Sequence, residues 1–574
     1  MGETAAPRFP RHRKEETVMA TRFAAKVSHL LLFCAALSVW VRPAVSRAAS
    51  LERNGSPATA HAAPAADTLR YVIHVSVDGL RADAVQRLGA AGAPHFHRLR
   101  VEGAYTENAR TDYDYTVTLP NHACELTSRP VLGPDGHGLS FNNDDGRTLE
   151  QIHGSYVPGV FDVVHDNGFT TGLYASKSKF ALFDRSWNGT NGAIDTTGVD
   201  NGRDKIDTYA YDPDTGALVG TFISNMNVTP HRYGFIHLGD PDGAGHSYGW
   251  ESGNYFASIM KVDALLGRIL DLVDGDARFA HKTYIVVAAD HGGFETDHSD
   301  AANPADYTIP LYVWGPGVPA GADLYWLNAS TREDPGGGRP AYAATPQPIR
   351  NGEAANLSLD LLGLPRVSGS SIDAALDCDA ILPGGAAALP SVSITSPAPG
   401  TSLVYPSGVV IEAAADPGTG GIARVEFFEN YVQLGADSTS PYAYAWDEIP
   451  FGAYRLTARA VRDDGVAAAA SVDFEITSAA GADGGHSMPP APPRIYPNPV
   501  DRLSTIAFSL SSGDGVEIAV YDCLGRRVET VFNGELKRGV HELSFDAAGY
   551  SPGVYFVRLR SGDGVRTGKL MVVR

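Results

Sequence analysis

The 574-residue sequence predicts an α/β domain, a mainly parallel sheet with helices on both faces, followed by two small all-β sandwich domains. Three observations carry this. First, Tyr71–Val77, Tyr233–Leu238 and Thr283–Ala289 are near-continuous apolar runs, the pattern of parallel strands buried on both faces. Second, the segments between them are long enough for helical crossovers. Tyr255–Val273, for example, carries Ile259, Val262, Leu265, Leu266, Ile269 and Leu272 at helical spacing. Third, after residue 390 the texture changes to short alternating strands separated by turns. A prior of ~150 residues per domain suggests about four domains in a chain of this length.

Taken in order, the chain opens with Arg22 and Lys26, an apolar run from Leu30 to Val41, and small residues up to Ala48-Ala49-Ser50. This reads as a signal peptide over residues 1–49, with Met19 as an alternative start. The run is short for a membrane span, so an anchor is the lesser reading. Residues 68–378 form the α/β domain and 379–390 a Gly/Ala/Pro linker. Residues 390–478 hold the first sandwich, with strands read at Ser391–Thr395, Gly408–Ile411, Ala423–Phe428, Tyr442–Trp446 and Tyr454–Val461. A second linker covers 479–493, and the last sandwich 494–574.

Both sandwiches carry resemblances. The stretch from Pro390 to about Ser478 resembles bacterial immunoglobulin-like domains, which implies a spacer or adhesion role. The last stretch holds Tyr496-Pro497-Asn498-Pro499, Val520–Arg526, Gly553–Leu559 and Lys569–Arg574, and resembles the C-terminal sorting domain of type IX secretion. That resemblance implies handling by the type IX machinery of a Gram-negative bacterium, with a secreted product or attachment at the outer-membrane surface. A second purely structural sandwich is the alternative.

Net charge is -20, and the first 49 residues are basic, so the remainder is more acidic still. Such a surface disfavours a nucleic-acid polymer as partner. A small phosphate ester stays compatible, because bound cations can supply positive charge locally. Cys34 falls in the signal, which leaves Cys124, Cys378 and Cys523. No C-x-x-C motif is present, and a Cys124–Cys378 disulfide is left open.

The three apolar strands end at Asp78, just before Asp240 and Asp242, and at Asp290. In open α/β sheets ligands bind at the carboxyl ends of strands. Thr118 precedes Pro120, so its hydroxyl belongs near a helix N-terminus, where the dipole favours an oxyanion. A threonine hydroxyl needs a base, a lowered pKa or a metal to act as a nucleophile. Acids and neutral imidazoles are the donors of catalytic zinc. Asp242 and His246 lie four residues apart and can share an ion, and the adjacent Asp290 and His291 can do so at an irregular strand end. Gly292-Gly293 is expected to supply the backbone freedom there. No histidine between His298 and His486 competes with His298 as a further donor. Lys177 and Lys179 read either as a solvated loop or as a cationic clamp on phosphoryl oxygens. His74 reads as a packed core residue, Asp144-Asp145 as a polar turn, and Asp240 as a neighbour of the donor Asp242.

With these residues on the page, most of 70–378 resembles the alkaline phosphatase superfamily, within it the type I phosphodiesterase/nucleotide pyrophosphatase family. The resemblance implies an alkaline-phosphatase-like fold and two zinc ions, with other divalent metals fitting the same donors. It implies Asp78, Thr118, Asp290 and His291 on one ion, and Asp242, His246 and His298 on the other. It makes Thr118 a nucleophile that is transiently phosphorylated, and Asn142 a hydrogen-bond partner of a phosphate oxygen. Leu119 departs from the aromatic residue common after the threonine in nucleotide-cleaving members, where it stacks on the base. A Lys-x-Lys pair near Lys177 and Lys179 occurs in phosphonoacetate hydrolase and in some monoesterases of the superfamily. The leading expectation is an exported phosphodiesterase/pyrophosphatase; the alternative is a phosphomonoesterase or phosphonate hydrolase. A sulfatase is disfavoured, because the nucleophile region lacks a Cys/Ser-x-Pro-x-Arg motif. A reading of another class is a surface adhesin with an inactive enzyme fold.

Overall fold

The computed structural model describes residues 70–195, 202–382, 389–404, 408–447, 449, 452–477, 493–496, 500, 503–510, 513–522, 525–537, 539–562 and 564–572. The signal-peptide segment, the body of both linkers, Pro497-Asn498-Pro499 and Cys523 lie outside the described residues.

The first domain is built on an eight-stranded sheet. Its strands are β1 (Tyr71–Val77), β2 (Ala104–Arg110), β3 (Thr171–Ala175), β4 (Thr208–Tyr211), β5 (Tyr233–Leu238), β6 (Thr283–Ala288), β7 (Thr308–Trp314) and β8 (Ala322–Asp323), in spatial order β4-β3-β5-β1-β6-β7-β2-β8. The run from β4 to β6 is parallel, whereas β7 is antiparallel to both β6 and β2. The sheet is therefore mainly parallel, with an antiparallel strand joined on one side. β1 lies between β5 and β6, and all seven of its residues are buried. A strand covered on both faces reads as a continuous apolar run, which is why it is legible in the sequence. Helices cover both faces. Thr118–Thr127, Val160–Asp166 and Glu353–Leu362 pack together on one, and Pro94–Glu102, Thr215–Val228 and Gly253–Gly275 on the other.

Strand ends converge because neighbouring parallel strands stop together. The amide of Asp78 donates to Leu238 O at 3.1 Å, and that of Asp242 donates to Asp78 O at 3.0 Å. Gly79 has φ +76°, and a Cβ there would lie 2.9 Å from the Asp242 Cα. Its lack of a side chain lets the two carboxylate-bearing loops close up. Gly292-Gly293 corrects the expectation of backbone freedom: neither residue has positive φ. What they supply is room, since a Cβ on Gly292 would lie 2.0 Å from Ala305 O and one on Gly293 2.2 Å from the Trp250 ring.

The two following domains are all-β. Ser391–Ser396, Val409–Asp416, Ile422–Glu429, Tyr442–Trp446 and Gly452–Arg462 are strands of a sandwich of a three- and a five-stranded sheet around Ile411, Val425, Phe427 and Leu456. The last domain stacks a three- and a four-stranded sheet. The first sandwich is fastened to the α/β domain: Ala320 N donates to Ala467 O at 2.9 Å, and Ser471 Oγ to Glu102 Oε1 at 3.0 Å. Cys124 and Cys378 are both buried and free. Among the described residues no helix is long and apolar enough to cross a membrane.

Candidate metal centre and nucleophile

At the carboxyl end of the sheet two groups of donors face one another. Asp78, Asp290 and His291 present one donor atom each within 4.8 Å of each other, and all three are buried. Asp242, His246 and His298 do the same, with His246 exposed at the mouth. These six are, with Thr118, the residues that the family resemblance assigns to two ions. Each group draws on different elements. Asp78 and Asp290 follow β1 and β6, whereas Asp242 and His246 sit on the helix Asp240–Tyr248 and His298 on a loop. Thr118 is the first residue of the helix Thr118–Thr127, with Oγ1 3.5 Å from His291 Nε2.

The three histidines are held alike. His291 Nδ1 lies 2.8 Å from Gly292 O, His246 Nδ1 2.9 Å from Thr296 O, and His298 Nδ1 2.6 Å from Thr116 O. A carbonyl only accepts, so each Nδ1 carries the proton and each Nε2 turns a lone pair inward. There it meets carboxylates: His291 Nε2 is 3.1 Å from Asp290 Oδ2 and 3.4 Å from Asp78 Oδ1, and the Nε2 atoms of His246 and His298 are 3.3 and 3.6 Å from Asp242 Oδ1. Asp78 Oδ1, Asp242 Oδ1 and Asp290 Oδ2 are buried with no hydrogen-bond partner. Lone pairs converging on unpartnered carboxylate oxygens need positive charge between them. The residues thus fit divalent cations in both groups.

Electrostatics agree. Burial and the Asp78 charge push the Asp290 carboxyl well above its ordinary range. Burial also acts upward on Asp78, but the Lys177 ammonium and a bond from His237 hold it well below. Burial pushes His291 down to about 3, so this ring stays neutral at ordinary pH. His246 moves up, because the Asp242 carboxylate beside its Nε2 favours the protonated ring.

Lys177 Nζ lies 2.6 Å from Asp78 Oδ2 and 2.5 Å from Asp242 Oδ2, one carboxylate from each group. Lys179 Nζ donates to Asn142 Oδ1 at 2.9 Å, and that oxygen also accepts from Leu119 N at 2.9 Å. The solvated-loop reading of the lysines fails at this point. The Leu119 side chain is fully buried, so it offers only its backbone amide here. Asp240 turns away, to Lys261 at 2.7 Å and Thr215 at 2.6 Å. His74 is buried against Tyr233, as a core residue.

Residues 72–310 match the family model described as type I phosphodiesterase / nucleotide pyrophosphatase. Further along, residues 390–458 match the bacterial Ig domain model and 494–573 the secretion system C-terminal sorting domain model. The mouse ectonucleotide pyrophosphatase/phosphodiesterase family member 1 is 25% identical over 217 residues, 38% of this chain and 23% of that protein. GPI ethanolamine phosphate transferase 1 of Yarrowia lipolytica is 33% identical over 84 residues, 15% of this chain and 9% of that protein. The chain thus spans about a quarter or less of the length of the curated relatives it matches. Among solved structures, murine ectonucleotide pyrophosphatase/phosphodiesterase 5 in complex with AMP is 16% identical, with 51% of this chain and 95% of that one covered at a TM-score of 0.36.

Sequence reasoning missed the residues that support the donors. His237 Nε2 lies 2.8 Å from Asp78 Oδ2, and its Nδ1 is 3.0 Å from Ser176 Oγ. His122 and Ser76 bond each other at 2.9 Å beneath Thr118. The available signal was polar residues inside otherwise apolar strands.

Proposed function

We propose that the phosphodiesterase-family region hydrolyses phosphoric esters through in-line attack of Thr118 Oγ1 on phosphorus. One observation carries the reading: a buried hydroxyl at a helix start, 3.5 Å from His291 Nε2, beside two donor groups whose carboxylate oxygens lack partners. Asp78, Thr118, Asp290 and His291 would hold one cation and Asp242, His246 and His298 the other, zinc fitting the mixed oxygen and nitrogen set. Bound there, the cations supply positive charge that favours the threonine alkoxide and neutralises phosphoryl oxygens.

The chain's own residues do the rest. The first turn of the helix Thr118–Thr127 places positive dipole at the attacking oxygen. Asn142 Oδ1 is engaged by Leu119 N and Lys179, so its NH2 is the group offered to a phosphoryl oxygen. As the Thr118 Oγ1–P bond forms, the ester P–O bond breaks and the alcohol leaves; water then attacks the phospho-threonine, releasing the phosphoryl product and restoring the Thr118 hydroxyl. Most catalysis of phosphoryl transfer is positioning and charge neutralisation, which suits a site of this composition.

A diester or pyrophosphate follows from the family. A doubly charged monoester or a phosphonate is the second reading, supported by two ammonium groups inside the site, Lys177 and Lys179. With a signal segment and the sorting domain, the enzyme would act at the cell surface or outside the cell. Thr118→Ala decides the mechanism. Turnover of bis-p-nitrophenyl phosphate and p-nitrophenyl phosphate should fall by roughly 10³-fold or more with metal content unchanged. Retained turnover would remove the nucleophile. Lys179→Ala should cost the monoester more than the diester if the second reading holds.

A further inference from the structure

Below the donors, β1 and the helix Thr118–Thr127 share a row of polar side chains. Alternate residues of β1 and its end, His74, Ser76 and Asp78, point to one face of the strand, and all are fully buried. On the helix, Thr118, His122 and Glu125 recur at i, i+4 and i+7, and all are buried as well. The two rows meet in rungs. Thr118 Oγ1 and Asp78 Oδ1 both face His291 Nε2, at 3.5 and 3.4 Å, Ser76 Oγ meets His122 Nε2 at 2.9 Å, and His74 Nε2 faces Glu125 Oε2 at 3.6 Å.

The middle rung has a fixed proton arrangement. His122 Nδ1 lies 2.8 Å from the carbonyl oxygen of Thr118, which can only accept. Nδ1 therefore holds the hydrogen, Nε2 is bare, and the Ser76 hydroxyl donates to it. The ring is confined by Phe180, His237 and Phe235, with centroids 4.8, 5.0 and 6.2 Å away. The first turn of a helix is the part least fixed by its own hydrogen bonds. Here a side chain from the second turn grips the carbonyl of the first residue and ties it to the strand that ends in Asp78.

We infer that His122, with Ser76, is a positioning residue for the reaction: it fixes the peptide of Thr118 against β1, so that the hydroxyl is aimed at phosphorus while Asp78 is held in register with it. This rests on Thr118 being the nucleophile. Its effect belongs in kcat, because a substrate can bind to a misaligned hydroxyl but cannot react with it. A displacement of ~1 Å at a reacting group is worth about 100-fold in rate.

The test uses the full chain loaded with zinc, and reads kcat, KM, metal content and thermal unfolding for His122→Ala, His122→Asn, Ser76→Ala and Thr118→Ala. The Asn amide can reproduce the Nδ1 donor but cannot reach Ser76. His122→Ala should lose kcat by about 100-fold with KM and zinc content within about twofold, His122→Asn should recover most of that loss, and Ser76→Ala should lose about tenfold. Equal loss in the Asn and Ala variants, or a kcat for His122→Ala within about threefold of wild type, overturns the positioning role. If His122→Ala does not fold, Ser76→Ala decides: a drop in kcat at unchanged melting temperature supports the role, and an unchanged kcat overturns it. Should Thr118→Ala remain active, the nucleophile reading falls and takes this role with it. A dead Thr118→Ala beside an unimpaired His122→Ala overturns the positioning role alone.

Discussion

The two donor groups face one another but are built differently. Asp78, Asp290 and His291 are fully buried and come from the ends of neighbouring strands of one sheet. Asp242, His246 and His298 come from a helix and a loop, and the His246 side chain is 44% exposed. Strand ends in a packed sheet have little freedom to separate, whereas a short helix and a loop can shift together. The deep group is therefore expected to hold its geometry the more tightly, whereas the mouth group meets solvent through His246.

Unequal consequences on mutation would sharpen that contrast. Asp290→Asn replaces a buried carboxyl group that accepts from Gly79 N at 3.0 Å and would ligate the deep cation, and should lower kcat/KM by about 10³-fold, on the order of 4 kcal/mol. His246→Ala should cost about 10–100-fold, with much of it recovered at raised zinc concentration, because the rest of the mouth group remains in place. Equal losses without zinc rescue would break the distinction.

Acidification tests the same contrast more gently. His246 is held above its ordinary pKa by Asp242, so it takes a proton early as pH falls, and a protonated ring cannot ligate a cation. His291 is pushed down to about 3 by burial and stays neutral over that range. Zinc content measured after dialysis at stepwise lower pH should fall first by one equivalent, and His246→Ala should remove that first step. Simultaneous loss of both equivalents would contradict it.

Under the deep group the contrast is read in stability instead of rate. Burial raises Glu125 from 4.5 to about 8. Its folded pKa is the higher one, so its stabilising contribution is complete below the unfolded pKa and is lost as pH rises from 4.5 through about 8. Glu125→Gln keeps the shape without the titration. It should match wild type near pH 4 and exceed it by several kcal/mol, about 5 at most, near pH 9 in denaturant unfolding. A constant difference across pH would show that Glu125 does not titrate in the fold.

Much of the site was legible because its donors sit where apolar strands stop. Asp78, Asp242 and Asp290 could be found from the runs preceding them, and His246 from its spacing to Asp242. Gly292-Gly293 was visible as special, but its reason was not: the need for room comes from Ala305 and Trp250, which reach it only in the fold. Leu119 was read through its side chain and acts here through its amide. His122, Ser76 and His237 were passed over because their partners are distant in sequence.

By itself, then, the sequence determined the α/β class, the order of three domains and the chemical types of the donors. Those follow from local periodicity and from residue chemistry, which neighbouring positions carry. Only the tertiary structure decided which nitrogen of each histidine faces inward, that Lys177 bridges both groups, and that a row of side chains ties Thr118 to β1. These are properties of pairs far apart in the chain, such as Asp78 with His237, joined by the parallel pairing of β1 with β5, and Ser76 with His122, joined where the helix Thr118–Thr127 meets β1.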